Sequence, residues 1–241
     1  SMFAEDAGMG VTSLGTEDLA TPFLKLVQNA KQASAVGAEI GDIFNSVTKE
    51  IYTAEEGVSV INCGYSLVHL EWATKELSIK PPEHRHTALD QLPETVRGKD
   101  GREMLTNGSG NYLEKTAEHY VLLVDEDDFT QQALLTMKST SLKVSKQWNS
   151  ALRSQKMKDG NGKVFIPPRF STIWKLTTTT ESNVHGTWSQ WQVAKERVVD
   201  SVELYSQAKS FAELISAGEV KVQHVQDNGN GNDSYDDDIP F

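Results

Sequence analysis

The stretch Val58–Trp72 (VSVINCGYSLVHLEW) limits what this chain can become more than any other. Its valines, isoleucine, tyrosine and leucines favour a pleated, half-buried strand, and Gly64 in its middle marks a bulge or bend. A long strand bent at a glycine is how a small closed barrel turns a corner. The spacing elsewhere supplies partners for it. Glu118–Val124 (EHYVLLV) and Gln132–Met137 (QALLTM) read as two strands joined by the acidic turn Asp125-Glu126-Asp127-Asp128. Arg169–Thr180 and Thr187–Ala194 read as a second pair, turned at 183–186.

Helices fit between and after these strands. Ser139-Thr140-Ser141 offers N-caps for a helix over Leu142–Met157, with Val144, Trp148, Ala151 and Leu152 on one apolar face. A second helix is expected over Asp200–Ser216, stopped near Gly218. Thr21–Ala30 reads as a short helix or extended arm, and Ile43–Val47 as a short strand. Residues 80–111 are rich in Pro and Gly and read as a long, irregular insertion. The expected class is α+β, mainly β: a five-stranded oligonucleotide-binding-type (OB-fold) barrel with additional helices and a long inserted loop. The expected organisation is a flexible arm over 1–20, one domain over 21–225 and a disordered acidic tail over 226–241.

Charge distribution carries the functional reading. The 241-residue chain has a net charge of −11, which by itself argues against a polyanionic partner. Yet residues 138–175 hold nine of its 23 basic residues and a single acid, Asp159. Aromatic residues are interleaved with those cations. A positive stripe on an acidic body can steer a polyanion to one face. The expected DNA-binding set is Lys138, Lys143, Lys146, Arg153, Lys156, Lys158, Lys163, Phe165, Arg169, Phe170, Trp174, Lys175 and Trp188. The cations would meet phosphates and the rings would stack on unpaired bases. Trp148 falls on the apolar helix face and reads as core. Trp188 and Trp191, three apart in one strand, point to opposite faces. Phe170 and Trp174 share one strand parity and Ile173 takes the other, which makes Ile173 the core residue and Trp174 the leading stacking candidate.

The chain ends DNGNGNDSYDDDIPF, without a base and with five acids. Such a segment cannot bury enough surface to fold. Its tip, Asp236, Asp237, Asp238, Ile239, Pro240 and Phe241, joins charge to apolar side chains and a terminal carboxylate, a combination suited to capture by a basic-rimmed apolar pocket.

This tip resembles the C-terminal end of bacterial and phage single-stranded DNA-binding proteins. TPFLKLVQ at 21–28, MKSTSLKVSKQWN at 137–149 and the F-x-x-x-W of Phe170–Trp174 are similar to tailed-phage members of that class. The resemblance implies one OB-type barrel, sequence-nonspecific binding of single strands during phage replication, recombination and repair, and a tail that recruits replication and recombination proteins. Weak self-association and the cytoplasm of the bacterial host complete the expectation, and neither a cofactor nor a catalytic residue is implied.

Other constellations point elsewhere with less force. His84 and His86 form an H-x-H near His69 or His119, but no cysteine pair or helical H-x-x-x-H accompanies them. Asp125–Asp128 with Glu118 could hold magnesium in a nuclease, the alternative activity, although an acidic β-turn explains them more simply. The lone Cys63 excludes a disulfide framework and fits a reducing compartment. No apolar run reaches the roughly 18–20 residues that a membrane helix needs.

Overall fold

A computed structural model describes residues 5–7, 9, 20–73, 82–88, 90–184 and 186–220. Val58–Trp72 forms one continuous strand, β4. Its chain-order companions are β1 (Phe23–Leu26), α1 (Ala30–Val36), β2 (Ile43–Asn45), β3 (Ile51–Tyr52), β5 (His84–His86), β6 (Thr95–Arg97), β7 (Glu103–Leu105), β8 (Tyr112–Val124), β9 (Thr130–Lys138), α2 (Ser141–Ser154), β10 (Met157–Lys158), β11 (Val164–Phe165), β12 (Thr172–Asn183), β13 (Gly186–Val198) and α3 (Val202–Ser216). The class is α+β and mainly β, with three helices among the described residues.

The main sheet runs β13-β12-β4-β8-β9-β1-β2-β3 and curls into a half-barrel. All its pairings along that path are antiparallel except β1 with β9. Residues that follow β1 and β3 reach back to β12 and β13, and the Thr178 N–H donates to the Ala54 carbonyl at 3.2 Å. Gln28 donates from Nε2 to the Ser189 carbonyl (2.9 Å), and the Ser189 N–H donates to Gln28 Oε1 (2.9 Å). One amide thus imitates a strand at the seam. Thr178 adds a bond from Oγ1 to the Gly41 carbonyl at 2.6 Å.

Both faces of the sheet are covered. One side packs Val58, Val60, Val121, Leu123, Leu135, Met137, Trp174, Leu176 and Trp191 around Trp148 and Leu152 of α2. The other side packs Ile61, Cys63, Tyr120, Leu122, Leu134 and Ile173 under Leu204, Ala208 and Phe211 of α3. Those three fall at i, i+4 and i+7, so one helix stripe meets the sheet. Ser201 starts α3 by accepting the Leu204 N–H at 3.2 Å. Gly64 is required by this packing, because a Cβ there would lie 2.8 Å from Cγ2 of Ile215.

Several expectations change. The sheet has eleven strands among the described residues, more than the five of a minimal barrel. Phe23–Leu26 is a strand, inserted beside β9 with Phe23 opposite Leu134. The insertion is irregular only in part. β5 pairs with β4, β6 with β7 and β7 with β8, so its described residues extend the sheet. The helix read as Leu142–Met157 stops at Ser154, and Met157 pairs instead with Phe165. The strand read from Arg169 begins at Thr172, after a 3-10 turn over Arg169–Ser171. The tail and all but residues 5–7, 9 and 20 of the N-terminal arm lie outside the described residues.

Candidate nucleic-acid interface

Helix α2 divides its residues by the 3.6 period. Ser145, Trp148 and Leu152 are buried, while Lys143, Lys146 and Arg153 are exposed. The helix runs through Gln155 and Lys156 into the small β10–β11 hairpin. Asp159 shapes its turn: Oδ1 accepts the N–H groups of Asn161 and Lys163, each at 2.9 Å. The hairpin exposes Lys156, Lys158 and Lys163 together with Val164, Phe165 and Ile166, and Ile166 is 64% exposed. Six cations and three apolar side chains therefore share one helix–hairpin unit.

Other members of the expected set are differently employed. Lys138 closes β9 with an ion pair to Glu114 at 3.3 Å. Lys175 is half-buried on β12. Phe170 is half-buried with its ring 5.4 Å from Tyr205 of α3. Trp174 and Trp188 are corrections. Trp174 is 4% exposed, inside the core under α2 and edge-on to Trp148 at 6.0 Å, so it cannot meet a base as the structure stands. Trp188 is 8% exposed. Strand parity did separate Ile173 from Trp174, but both faces of β12 are covered, and each residue fills a core. Trp148 is core as expected, at 2%.

Arg169 anchors a polar network that the sequence conceals. Nη1 donates to Asn62 Oδ1 (3.2 Å) and Nη2 to Asn149 Oδ1 of α2 (2.9 Å). Asn62 Nδ2 lies 2.9 Å from His119 Nδ1, and His119 Nε2 lies 2.8 Å from Ser145 Oγ. Burial and the nearby Arg169 charge push the His119 pKa down to about 3, which keeps the ring neutral. The imidazole stacks on Trp148 with centroids 4.7 Å apart. Arg169 itself sits over the ring of Tyr65 at 5.6 Å. Neither Tyr65 nor Asn62 stands out in an apolar strand sequence, because their roles depend on partners over fifty residues away.

The alternative chemistry finds its residues occupied. Asp125 Oδ1 accepts the N–H groups of Asp127 and Phe129 within its own turn, and Asp128 pairs with Arg197 at 2.9 Å. Glu118 is buried and holds Arg85 at 2.6 Å. Among the described residues no group of three or more His, Cys, Asp or Glu side chains is arranged to hold a metal ion. Burial pushes the Cys63 thiol up to about 12, so it is an inert core residue. No described helix is long and apolar enough to cross a membrane.

The chain is thus a mainly β, α+β protein in which a half-barrel carries a basic helix–hairpin unit. The sequence matches the family described as Pam3 phage gp34-like protein over residues 2–221, and the chain belongs to that phage family. No curated protein and no solved structure matches it.

Proposed function

We propose that this chain is a phage single-stranded DNA-binding protein. It would coat exposed strands without sequence preference during replication, recombination and repair in the host cytoplasm, and its acidic tail would recruit partner proteins. The observation that carries this reading is the α2–hairpin unit, which exposes Lys143, Lys146, Arg153, Lys156, Lys158 and Lys163 beside Val164, Phe165 and Ile166. Cations that track phosphates beside apolar and aromatic surface for bases are what a sequence-tolerant single-strand binder needs.

The strand order supports an OB-type reading of the five long strands. β4 lies between β8 and β12, β9 follows β8, α2 joins β9 to β12, and β12 turns back into β13. In that reading α2 is the helix between the third and fourth barrel strands. β1, β2 and β3 then continue the sheet beyond β9, and β5, β6 and β7 are additions beside β4 and β8. The tail's Asp236–Phe241 supplies the recruiting element.

The test is fluorescence anisotropy of labelled oligo-dT against a duplex of equal length, across a salt series. Preferential binding of the single strand is expected. With roughly five phosphates engaged, log affinity should fall with log salt at a slope near −3.5, from about −0.7 per contact. Equal affinity for duplex, or affinity indifferent to salt, would reject the proposal. Magnesium-dependent cleavage of the strand would favour the nuclease instead.

A further inference from the structure

The bulge in β4 has a directional consequence. Pairing with β8 shifts register between Asn62 and Gly64, where one extra residue enters the strand. Cys63 and Gly64 therefore fall consecutively on the α3 side: Cys63 joins that core and Gly64 faces Ile215. Asn62 and Tyr65 fall on the α2 side, Asn62 against His119 and the Tyr65 ring 5.1 Å from the same imidazole. Trp174, Trp148, His119 and Tyr65 make a series of rings from the core outward, with successive centroids 6.0, 4.7 and 5.1 Å apart. The last of them, Tyr65, is 36% exposed.

Arg169 stands over that ring and is half-buried, yet its hydrogen-bond partners are two neutral amides. Other described arginines with reduced exposure or close carboxylates behave differently: Arg85 meets Glu118, Arg102 meets Asp100, and Arg197 meets Asp128 and Asp200. The chain has 34 acidic residues from which to supply a counter-charge. Withdrawing a guanidinium from water without one carries a desolvation cost, visible in the lowering of its pKa by burial. An external anion at this point would offset that cost. Two asparagines meanwhile hold the guanidinium in place, and Asn149 lies three residues beyond the exposed Lys146 and four before the exposed Arg153.

We infer that Tyr65 and Arg169 form a nucleotide subsite, in which the exposed phenol ring takes a base and the guanidinium takes the adjoining phosphate of a single strand. The subsite rests on the proposed DNA-binding function and moves its stacking platform from β12 to the bulge of β4. It also places the strand's path beside α2, whose Asn149 holds the guanidinium.

The experiment is oligo-dT anisotropy with the full-length wild type and the Tyr65→Ala, Tyr65→Phe and Arg169→Gln variants, each checked for its thermal transition. Tyr65→Ala should bind about tenfold more weakly, the loss expected for one stacked base, while Tyr65→Phe keeps wild-type affinity. Arg169→Gln should weaken binding and make the salt slope shallower by about 0.7, which a purely structural role would not do. Tyr65→Trp adds a surface reporter, and oligo-dT should quench its emission beyond the change seen in wild type. If the wild type binds oligo-dT and Tyr65→Ala binds equally well with an unchanged slope for Arg169→Gln, the subsite is wrong and the function stands. If the wild type does not bind oligo-dT, the function itself falls and the subsite with it.

Discussion

Arg85 and Arg169 are both partly withdrawn from water, and the chain treats them in opposite ways. Arg85 donates to both oxygens of Glu118, at 2.6 and 3.4 Å, and that carboxylate also accepts from the Tyr120 hydroxyl at 3.3 Å. Burial alone would lower the Arg85 pKa, but the hydrogen bond and charge of Glu118 outweigh it and raise it. That cluster is closed: its charges cancel, and its job is to fasten the insertion to β8. Arg169 receives only neutral partners, so its charge is positioned and left uncancelled. A compensated cation stabilises a fold, whereas an uncompensated one at a surface edge is available to something else.

The contrast can be broken from either side. The largest effect is expected at the closed cluster. Arg85→Ala strands a buried carboxylate and should lower unfolding free energy by about 3 kcal/mol in urea titrations. A loss below about 1 kcal/mol would mean that water replaces the guanidinium and that the two arginines are not so different. Next comes pH. The folded pKa of His119 lies below its unfolded value, so between about 3 and 6.5 the unfolded chain binds the extra proton. This contribution is complete above the unfolded value and is lost as pH falls. Stability should be about 2 kcal/mol lower at pH 5 than at pH 7, and His119→Asn should flatten that difference. Arg169→Gln should cost less, about 1 kcal/mol, because it removes hydrogen bonds to neutral amides and a contact with the Tyr65 ring but strands no opposite charge. A cost as large as that of Arg85→Ala would make Arg169 a fold residue first. The smallest effect concerns the tail, whose five aspartates, on the proposed function, compete with DNA for the uncancelled cations. Deleting 227–241 should tighten oligo-dT binding a few-fold at low salt, and the gain should shrink in the Arg169→Gln background. Unchanged affinity after deletion would restrict the tail to partner recruitment.

Legibility in the sequence followed the range of the forces involved. Val58–Trp72 was readable to its ends because β-branched and aromatic residues and one glycine act locally. Trp148 was readable as core because its helical neighbours share its face. Trp174 was not, because parity tells two faces apart without telling whether α2 and α3 cover both. β5, β6 and β7 are three residues each, and exist by pairing with strands whose signal lies elsewhere. The basic stripe was legible in composition, but its division was not. Lys138 and Arg169 are tied into the body, whereas Lys143 to Lys163 face solvent. The subsite residue Tyr65 needed the bulge and its register, which only a folded sheet displays.

The seam at Gln28 has a consequence for the timing of assembly. β1 pairs on one side with β2, which follows it directly, and on the other with β9, whose Leu134 lies more than a hundred residues further along the chain. Phe23–Leu26 stays unpaired on its β9 side until Leu134 has been made. Closing the sheet therefore depends on contacts far apart along the chain, the arrangement that makes folding slow. The seam rests on a few bonds, those of the Gln28 amide with Ser189 and of Thr178 with Gly41 and Ala54, so it is a place where the finished sheet can open locally.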